Sequence, residues 1–411
     1  MDSGTPTVRR CRAAYVALQF AYWVNGSILI GFLLPYLHGL GFRDDTAGFL
    51  MAGVSLLGFL LPFLISSLSA RLGLRLLPLL RGLLTVQLVL CLLLLPTAAD
   101  RRGLPLCLLL TGLHMSLYPL YVTLAIELRR RKLPLRFSAA RAVGSLGYAL
   151  MSLLLGSTAA ASDRRIGLVC ACVSLGVQLL LLCAFRDCQG GETEGESERD
   201  GGSGAESAKA APFLLLLLGA ALIFSGDSAV NSFRYSILLS LGGSLGAFGL
   251  LTAFKGLMEI PVMLLYPALR RLGSGRLLTA AMCVFLVKLA LVRLAGSVGM
   301  LYAAFALQAF SFGLYAPAIV DFLDEISPKA FAARAQSLGN GMNTFGAFGA
   351  TVLTGCLLSE YSVSASLNVL LLLEALGLAF YFAGRQKLRE FFLKEAPQSD
   401  RMKHQEERRE E

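Results

Sequence analysis

Charge is the first thing this chain is short of. Only 16% of its 411 residues are Asp, Glu, Lys or Arg, against about 25% in soluble domains, which excludes an ordinary water-soluble fold. Histidine is scarcer still: His38, His114 and His404 are the whole supply. None of them lies near a paired carboxylate and a Ser or Cys in an obvious motif, so neither a nucleophile–base hydrolase nor a histidine-built metal centre is supported. The nine cysteines are scattered, mostly through apolar segments, where they behave as small hydrophobes. Cys170 and Cys172 make one C-x-C without a second pair, so no metal and no other cofactor is expected. A G-x-x-x-x-G-K-[ST] run is missing, which excludes a P-loop ATP site. The formal net charge of +10 does not point to nucleic acid, because the basic residues gather at the ends of apolar runs, where they set membrane orientation.

What is abundant is apolar sequence, 55% of the chain. Runs such as 77–97 and 212–224 extend to roughly 20 residues, the span a bilayer core requires. Twelve such spans are expected, at about 13–37, 47–69, 76–97, 104–128, 139–161, 166–185, 212–238, 245–268, 277–297, 299–325, 332–358 and 365–384. The first is too long for a signal-peptide core and has no A-x-A site, so it is expected to stay as a helix. The fold class is therefore all-α integral membrane, with the lipid bilayer as solvent. Residues 186–211 are rich in Gly, Ser and Glu and are expected to form a flexible linker between an N-terminal half, 1–185, and a C-terminal half, 212–390. Residues 391–411 form a charged tail. Short loops after even-numbered spans carry Arg71 and Arg75, Arg129 to Lys132, and Arg270, Arg271 and Arg276, whereas the loops after spans 7, 9 and 11 carry no Lys or Arg. Both termini are thus expected in the cytoplasm of a multi-pass protein of the cell membrane.

The halves echo each other. ARLGLR (70–75) follows span 2 and RRLGSGR (270–276) follows span 8; LYPLYVTLAIE (117–127) lies in span 4 and LYAPAIVDFLDE (314–325) in span 10. Such parallel repeats build transporters that hold a solute between halves near the midplane. Two pseudo-symmetric halves of six helices resemble the major facilitator superfamily. The helix 2–3 signature of that family is matched by Arg71, Gly73 and Arg75, with Ser66 and Ala70 where it has Gly and Asp; the resemblance implies a gate there. RAVGSLGYAL (141–150) is similar to helix 5 of the lactose permease branch, which carries sugar:proton and nucleoside:proton symporters. That resemblance implies that Arg141 hydrogen-bonds hydroxyls, that Tyr148 stacks on a ring, and that Gly144 and Gly147 allow close helix contact. By position, Lys288 matches a cation on helix 9, and Asn343 falls near a helix 11 lysine.

A charge at the centre of a membrane helix costs about 2.5–3.5 kcal/mol on insertion scales, so each one needs a reason. The second half places Asp227, Lys255, Glu259, Lys288 and Glu374 inside apolar spans. Lys255 and Glu259 are four residues apart and share a helix face. They are expected to pair, either as a structural lock or as part of a cavity whose carboxylates exchange protons, since burial and a nearby cation act on a carboxyl in opposite directions. Lys255 is also the expected partner of Asp227. Arg234 and Arg293 are expected to snorkel toward the interface, and Asp321, Asp324 and Glu325 to bridge to Arg334 or Lys329. Trp23 is either a stacking platform or a packing residue, and His114 a packed core residue. Gln19, Asn25, Asn340 and Asn343 are uncharged polar candidates for a cavity or for interhelical hydrogen bonds.

These patterns lead to a secondary transporter of a polar small molecule, sugar- or nucleoside-like, with the proton as coupling ion, working as a monomer. Efflux of drugs or metabolites is the alternative, and a membrane enzyme or a non-transporting sensor lies further off. If the linker acts only through its reach, replacing 186–211 with Gly/Ser of equal length leaves transport by well-inserted protein unchanged. Abolished transport would give the acidic segment a role of its own.

Overall fold

The computed structural model describes residues 6–130, 135, 137–157, 165–188, 207–326 and 332–395. Among these, twelve helices are long and apolar enough to cross a membrane: α1 Val8–Gly39, α2 Asp44–Leu72, α3 Leu76–Thr97, α4 Arg101–Leu128, α5 Ala139–Gly156, α6 Arg165–Phe185, α7 Ala211–Ser240, α8 Leu245–Leu272, α9 Ser274–Leu294, α10 Val298–Ile326, α11 Gly341–Glu360 and α12 Val363–Leu388. The expected linker falls largely outside the described residues, and the helix that contains α7 begins at Ser207, inside the segment expected to be flexible. The tail beyond 395 also lies outside them.

The backbone repeats as the sequence does. Gly41 and Gly242 take φ of 81° and 77° in the turns before α2 and α8, and Gly73 and Gly273 take 61° and 91° in the turns after them. Positive φ at these four places lets each half make its two tight reversals where a Cβ would be strained.

Each half has its own core. One cluster centres on Tyr15, Leu84 and Tyr121, another on Leu216, Phe285 and Tyr381. A third joins Phe32, Met151 and Leu155 of the first half to Phe248, Leu251 and Phe305 of the second. The halves meet chiefly along α2 with α11 and α5 with α8, and glycine makes both approaches possible. A Cβ on Gly249 would sit 2.6 Å from the Gly156 Cα, and one on Gly355 would sit 2.6 Å from the Asp44 carbonyl oxygen. Polar links reinforce this face. Ser236 donates to Asp44 at 2.6 Å, His38 shares a hydrogen bond with the same carboxylate at 2.8 Å, and the Asp45 amide donates to Ser359 at 2.8 Å. The two halves are thus sealed at the membrane face opposite the termini.

Two helices depart from α geometry. In α1, Ser27–Gly31 form a π turn, and Pro35 follows Gly31 by four residues, so the Gly31 carbonyl has no i+4 amide to accept from. In α10, Leu307–Ala309 tighten into a 3₁₀ turn. Both departures lie next to the charged centre described below, in keeping with the placement of such irregularities at functional sites.

Gly249→Ala should wedge α5 from α8, an overpacking cost of about 1–3 kcal/mol. Spin-label distances between the ends of α5 and α8 at the sealed face should then shift away from the sealed arrangement. Gly53→Ala, which meets nothing within 4 Å, serves as the silent control. Unchanged distances in Gly249→Ala would mean that this crossing does not hold the seal.

Candidate functional site

A cavity of about 270 Å³ lies between the halves, lined among others by Trp23, Arg141, Tyr148, Arg234, Lys255 and Glu259. Arg141 stands 15 residues before the end of α5 and Glu259 14 residues after the start of α8. At 1.5 Å per residue both lie roughly 20 Å below the sealed face, in the middle zone of a bilayer core about 30 Å thick. A second cavity, about 390 Å³, lies among Ile28, Phe32, Tyr36, Leu168 and Tyr235; its walls are mostly apolar and it holds none of these central charges.

Arg141 is buried and held from three directions. Its guanidinium lies 3.7 Å from the Trp23 ring centroid, donates to Ser145 at 2.8 Å and approaches the Glu259 carboxylate at 3.9 Å. The planar fork allows stacking and bonding at once, which an ammonium could not do. Glu259 also accepts from the Gln308 amide at 3.1 Å, and the other end of that amide accepts from Lys288 at 2.8 Å. Lys288 is ion-paired with Asp227, whose second oxygen accepts from Asn231 at 2.9 Å. One chain of contacts therefore runs Asp227–Lys288–Gln308–Glu259–Arg141–Trp23, across α7, α9, α10 and α8 into α5 and α1.

The structure re-sorts several expected pairs. Lys255 and Glu259 share a face of α8 but are not within 4.0 Å of one another; Glu259 turns instead to Arg141 and Gln308. Asp227 pairs with Lys288 from α9 rather than with Lys255. The Lys288 side chain is only 1% exposed, so that pair belongs to the packed second half and not to the cavity wall.

Arg234 does not snorkel. It is 5% exposed, because acceptors wait for it inside. It donates to the orphan Gly31 carbonyl at 3.1 Å, to the Tyr148 hydroxyl at 3.3 Å, to Thr252 at 3.2 Å and to the Asn231 carbonyl. Tyr148 thus holds a cross-half contact while its ring stands edge-on to Trp23, with centroids 6.2 Å apart.

The other candidates fall elsewhere. Asn25 is fully buried with both amide atoms unpartnered and is not on the cavity wall. Asn343 donates to Tyr315 at 2.8 Å within the second half. The side chain of Asn340 lies outside the described residues, as do those of Lys329 and Arg334. Asp321 instead meets Arg270 at 2.9 Å and Tyr266 at 2.9 Å, and Glu325 meets Arg270 at 3.9 Å and also Ser274. Arg71 and Arg75 stand exposed on either side of the Gly73 turn. Gln19 donates to Tyr15 at 2.8 Å, and His114 stacks on Tyr22 with centroids 4.4 Å apart. Glu374 is fully buried with neither oxygen hydrogen-bonded, and its Oε1 lies 2.6 Å from where a Gly226 Cβ would be. Gln308, Ser145 and Asn231 are parts of the site that the sequence did not single out. Gln308 had a usable signal, a lone amide inside an apolar span.

Comparison with known proteins fits this geometry. Residues 14–369 match the MFS_1 like family. A maltose permease of Geobacillus stearothermophilus is 29% identical over 159 residues, covering 38% of this chain and 40% of that protein. The uncharacterized transporter YwbF of Bacillus subtilis (strain 168) is 28% identical over 182 residues, covering 43% and 45%. The matched stretches span less than half the length of either relative. The nucleoside transporter NupG superposes with a TM-score of 0.69 at 14% identity, over 93% of this chain and 99% of that one. A bacterial homologue of the human lysosomal transporter Spinster, inward-facing and unoccupied, gives 0.67 at 13%, over 94% and 99%. At such identities these two likenesses speak for the fold. Matched over most of its length, with twelve helices in two halves around a charged cavity, the chain belongs to the MFS_1 like family.

Proposed function

We propose that the transported solute is a polar, ring-bearing molecule, sugar- or nucleoside-like, moved by alternating access and coupled to a proton carried by Glu259, with both termini in the cytoplasm. The observation that carries this reading is the Arg141–Glu259 contact, 3.9 Å across the two halves and against the face of Trp23. Trp23 offers an aromatic face, Arg141 a fork of donors, and Ser145 and Tyr148 hydroxyls. A ring with several hydroxyl groups needs this set, because each polar group it buries must find a partner. The names of a maltose permease and a nucleoside transporter among similar proteins lean the same way.

Coupling follows from what holds Arg141. While Glu259 is charged, the attraction at 3.9 Å is of order 4 kcal/mol at an effective dielectric of 20, before desolvation is subtracted. A proton on Glu259 removes most of that attraction. Arg141 is then freed from α8 to serve the solute, and the halves lose one of their central ties. Release of the proton on the other side restores the pair and expels the competitor for Arg141. Gln308 keeps Glu259 in place in either form, since its amide can donate to a charged or a neutral carboxyl.

Glu259→Gln should abolish uphill accumulation driven by a pH gradient, because no proton can be released. Exchange of solute at equal pH should persist, with membrane abundance near wild type. Proteoliposomes read both quantities. Retained pH-driven accumulation would remove Glu259 from the coupling step and turn attention to Asp227.

Arg141→Lys keeps the charge but loses the planar fork and its stacking on Trp23. It should raise the apparent KM at least about tenfold at equal abundance, corresponding to about 1.5 kcal/mol for a charged hydrogen bond. Wild-type KM in this variant would take Arg141 out of the solute site.

A further inference from the structure

The cavity wall is electrostatically lopsided. Three of its lining residues are cations, Arg141, Arg234 and Lys255, and its carboxylate is Glu259. That carboxylate faces Arg141. Arg234 is bonded only to neutral oxygens, two carbonyls and two hydroxyls. Lys255 makes no hydrogen bond or ion pair with any described residue, although it lines the cavity. The nearby acids do not answer this charge. Asp227 is taken by Lys288 and Asn231, and Glu374 is packed against Gly226 on the far side of α7, away from the wall.

A surplus of two positive charges in a water-poor interior is costly. Hydroxyl and amide dipoles do not neutralise it. Something that enters the cavity can. We propose that the solute carries an oxyanion, a carboxylate or a phosphate, which docks on Lys255 within the positive field of Arg234 while its ring lies on Trp23. Lys255 suits this role because its ammonium is a compact charge with three free donors on a flexible stem. Ser228, Asn231 and Ser232, on the same cavity wall, supply neutral donors beside it. At about 270 Å³ the cavity is below the usual size of drug-binding pockets and suits one ring with one charged group. A monoanion that enters with the coupled proton offsets the charge that the proton adds on Glu259, so loading does not deepen the surplus.

The proposal rests on the ring-solute transporter reading above and deepens it. Its test uses full-length purified protein and matched probes that differ only in the charged group: glucose, glucuronate and glucose 6-phosphate, and uridine with uridine monophosphate. In thermal-shift titrations at least one charged member should bind about thirtyfold or more tightly than its neutral parent, the size expected for a partnered interior charge. Whether the carboxylate or the phosphate member gains decides which oxyanion the site takes. Lys255→Met should erase the preference and leave the unliganded protein at least as stable as wild type, because it removes an unpaired cation. Lys255→Arg should keep the preference. Neutral parents that bind as tightly as their charged partners would overturn the oxyanion and leave the ring-solute reading standing. A charged-member advantage that survives Lys255→Met would overturn the assignment to Lys255. Absence of stabilisation by every charged probe also counts against the proposal, and absence with the neutral probes as well defeats both readings.

Discussion

Inside an apolar slab neither a backbone amide nor a charge has water to turn to, and the centre of this protein is arranged around that fact. The helices satisfy the amides, leaving the handful of interior charges to find one another. They do so in a line rather than in isolated pairs. Lys288 answers Asp227, and Gln308 accepts a further hydrogen bond from Lys288 at one end of its amide while donating to Glu259 with the other. A glutamine can do this because its amide is an acceptor on one side and a donor on the other. A carboxylate at 308 could accept from Lys288 but, when ionised, would repel Glu259. The line ends on Arg141, in the other half of the molecule. Of the two carboxylates in this line, the one that Lys288 does not pair with is therefore answered from the first half.

The second tie across the halves has a different origin. Pro35 supplies no amide hydrogen, so the Gly31 carbonyl is left without a helical donor. Arg234 fills the vacancy from α7 and on the same side meets Tyr148. Both ties are polar and can be exchanged for contacts with a polar guest. The seal at the face opposite the termini differs in kind, because it is made largely of backbone against backbone at glycine crossings. The same helices carry both features. Gly156 and Arg141 share α5, and Gly249 and Glu259 share α8. In the proposed cycle a change in the central pair is transmitted along these two rods to the crossing that closes the molecule, as alternating access between repeats requires.

The fold was legible because its signal is long-range and repetitive: twelve apolar runs with basic residues at alternating ends, and two halves that echo each other at the loops. The turn glycines bear this out in the backbone, Gly73 answering Gly273 and Gly41 answering Gly242. The cavity was legible in part of its lining and not in its pairing, since Asn25, Asn343, Asp227 and Lys288 lie off its wall. Arg141, Trp23, Tyr148, Lys255 and Glu259 do share one cavity wall. Which cation meets which carboxylate depends on the rotation of packed helices, and spacing along one helix does not report that. Spacing put Lys255 beside Glu259; packing put Arg141 and Gln308 there. Arg234 was misplaced for a related reason. Its position toward the end of a span suggested a route to the interface, while the acceptor that draws it inward arises from a proline 199 positions earlier in the chain.

Why Arg141 and not Lys255 should hold Glu259 follows from preorganisation. Arg141 is fixed before it meets the carboxylate, stacked on Trp23 and bonded to Ser145, so little freedom is lost on contact. Lys255 would have to immobilise a four-carbon stem for a single point contact. The order along α8 is also the weaker one, since a lysine preceding a glutamate by four residues opposes the helix dipole. Glu259 therefore settles on the arginine, and the lysine is left over. The two roles proposed here are thus not independent choices. A carboxylate that commits to Arg141 is what a proton must displace, and the same commitment leaves Lys255 open at the cavity wall for an anion.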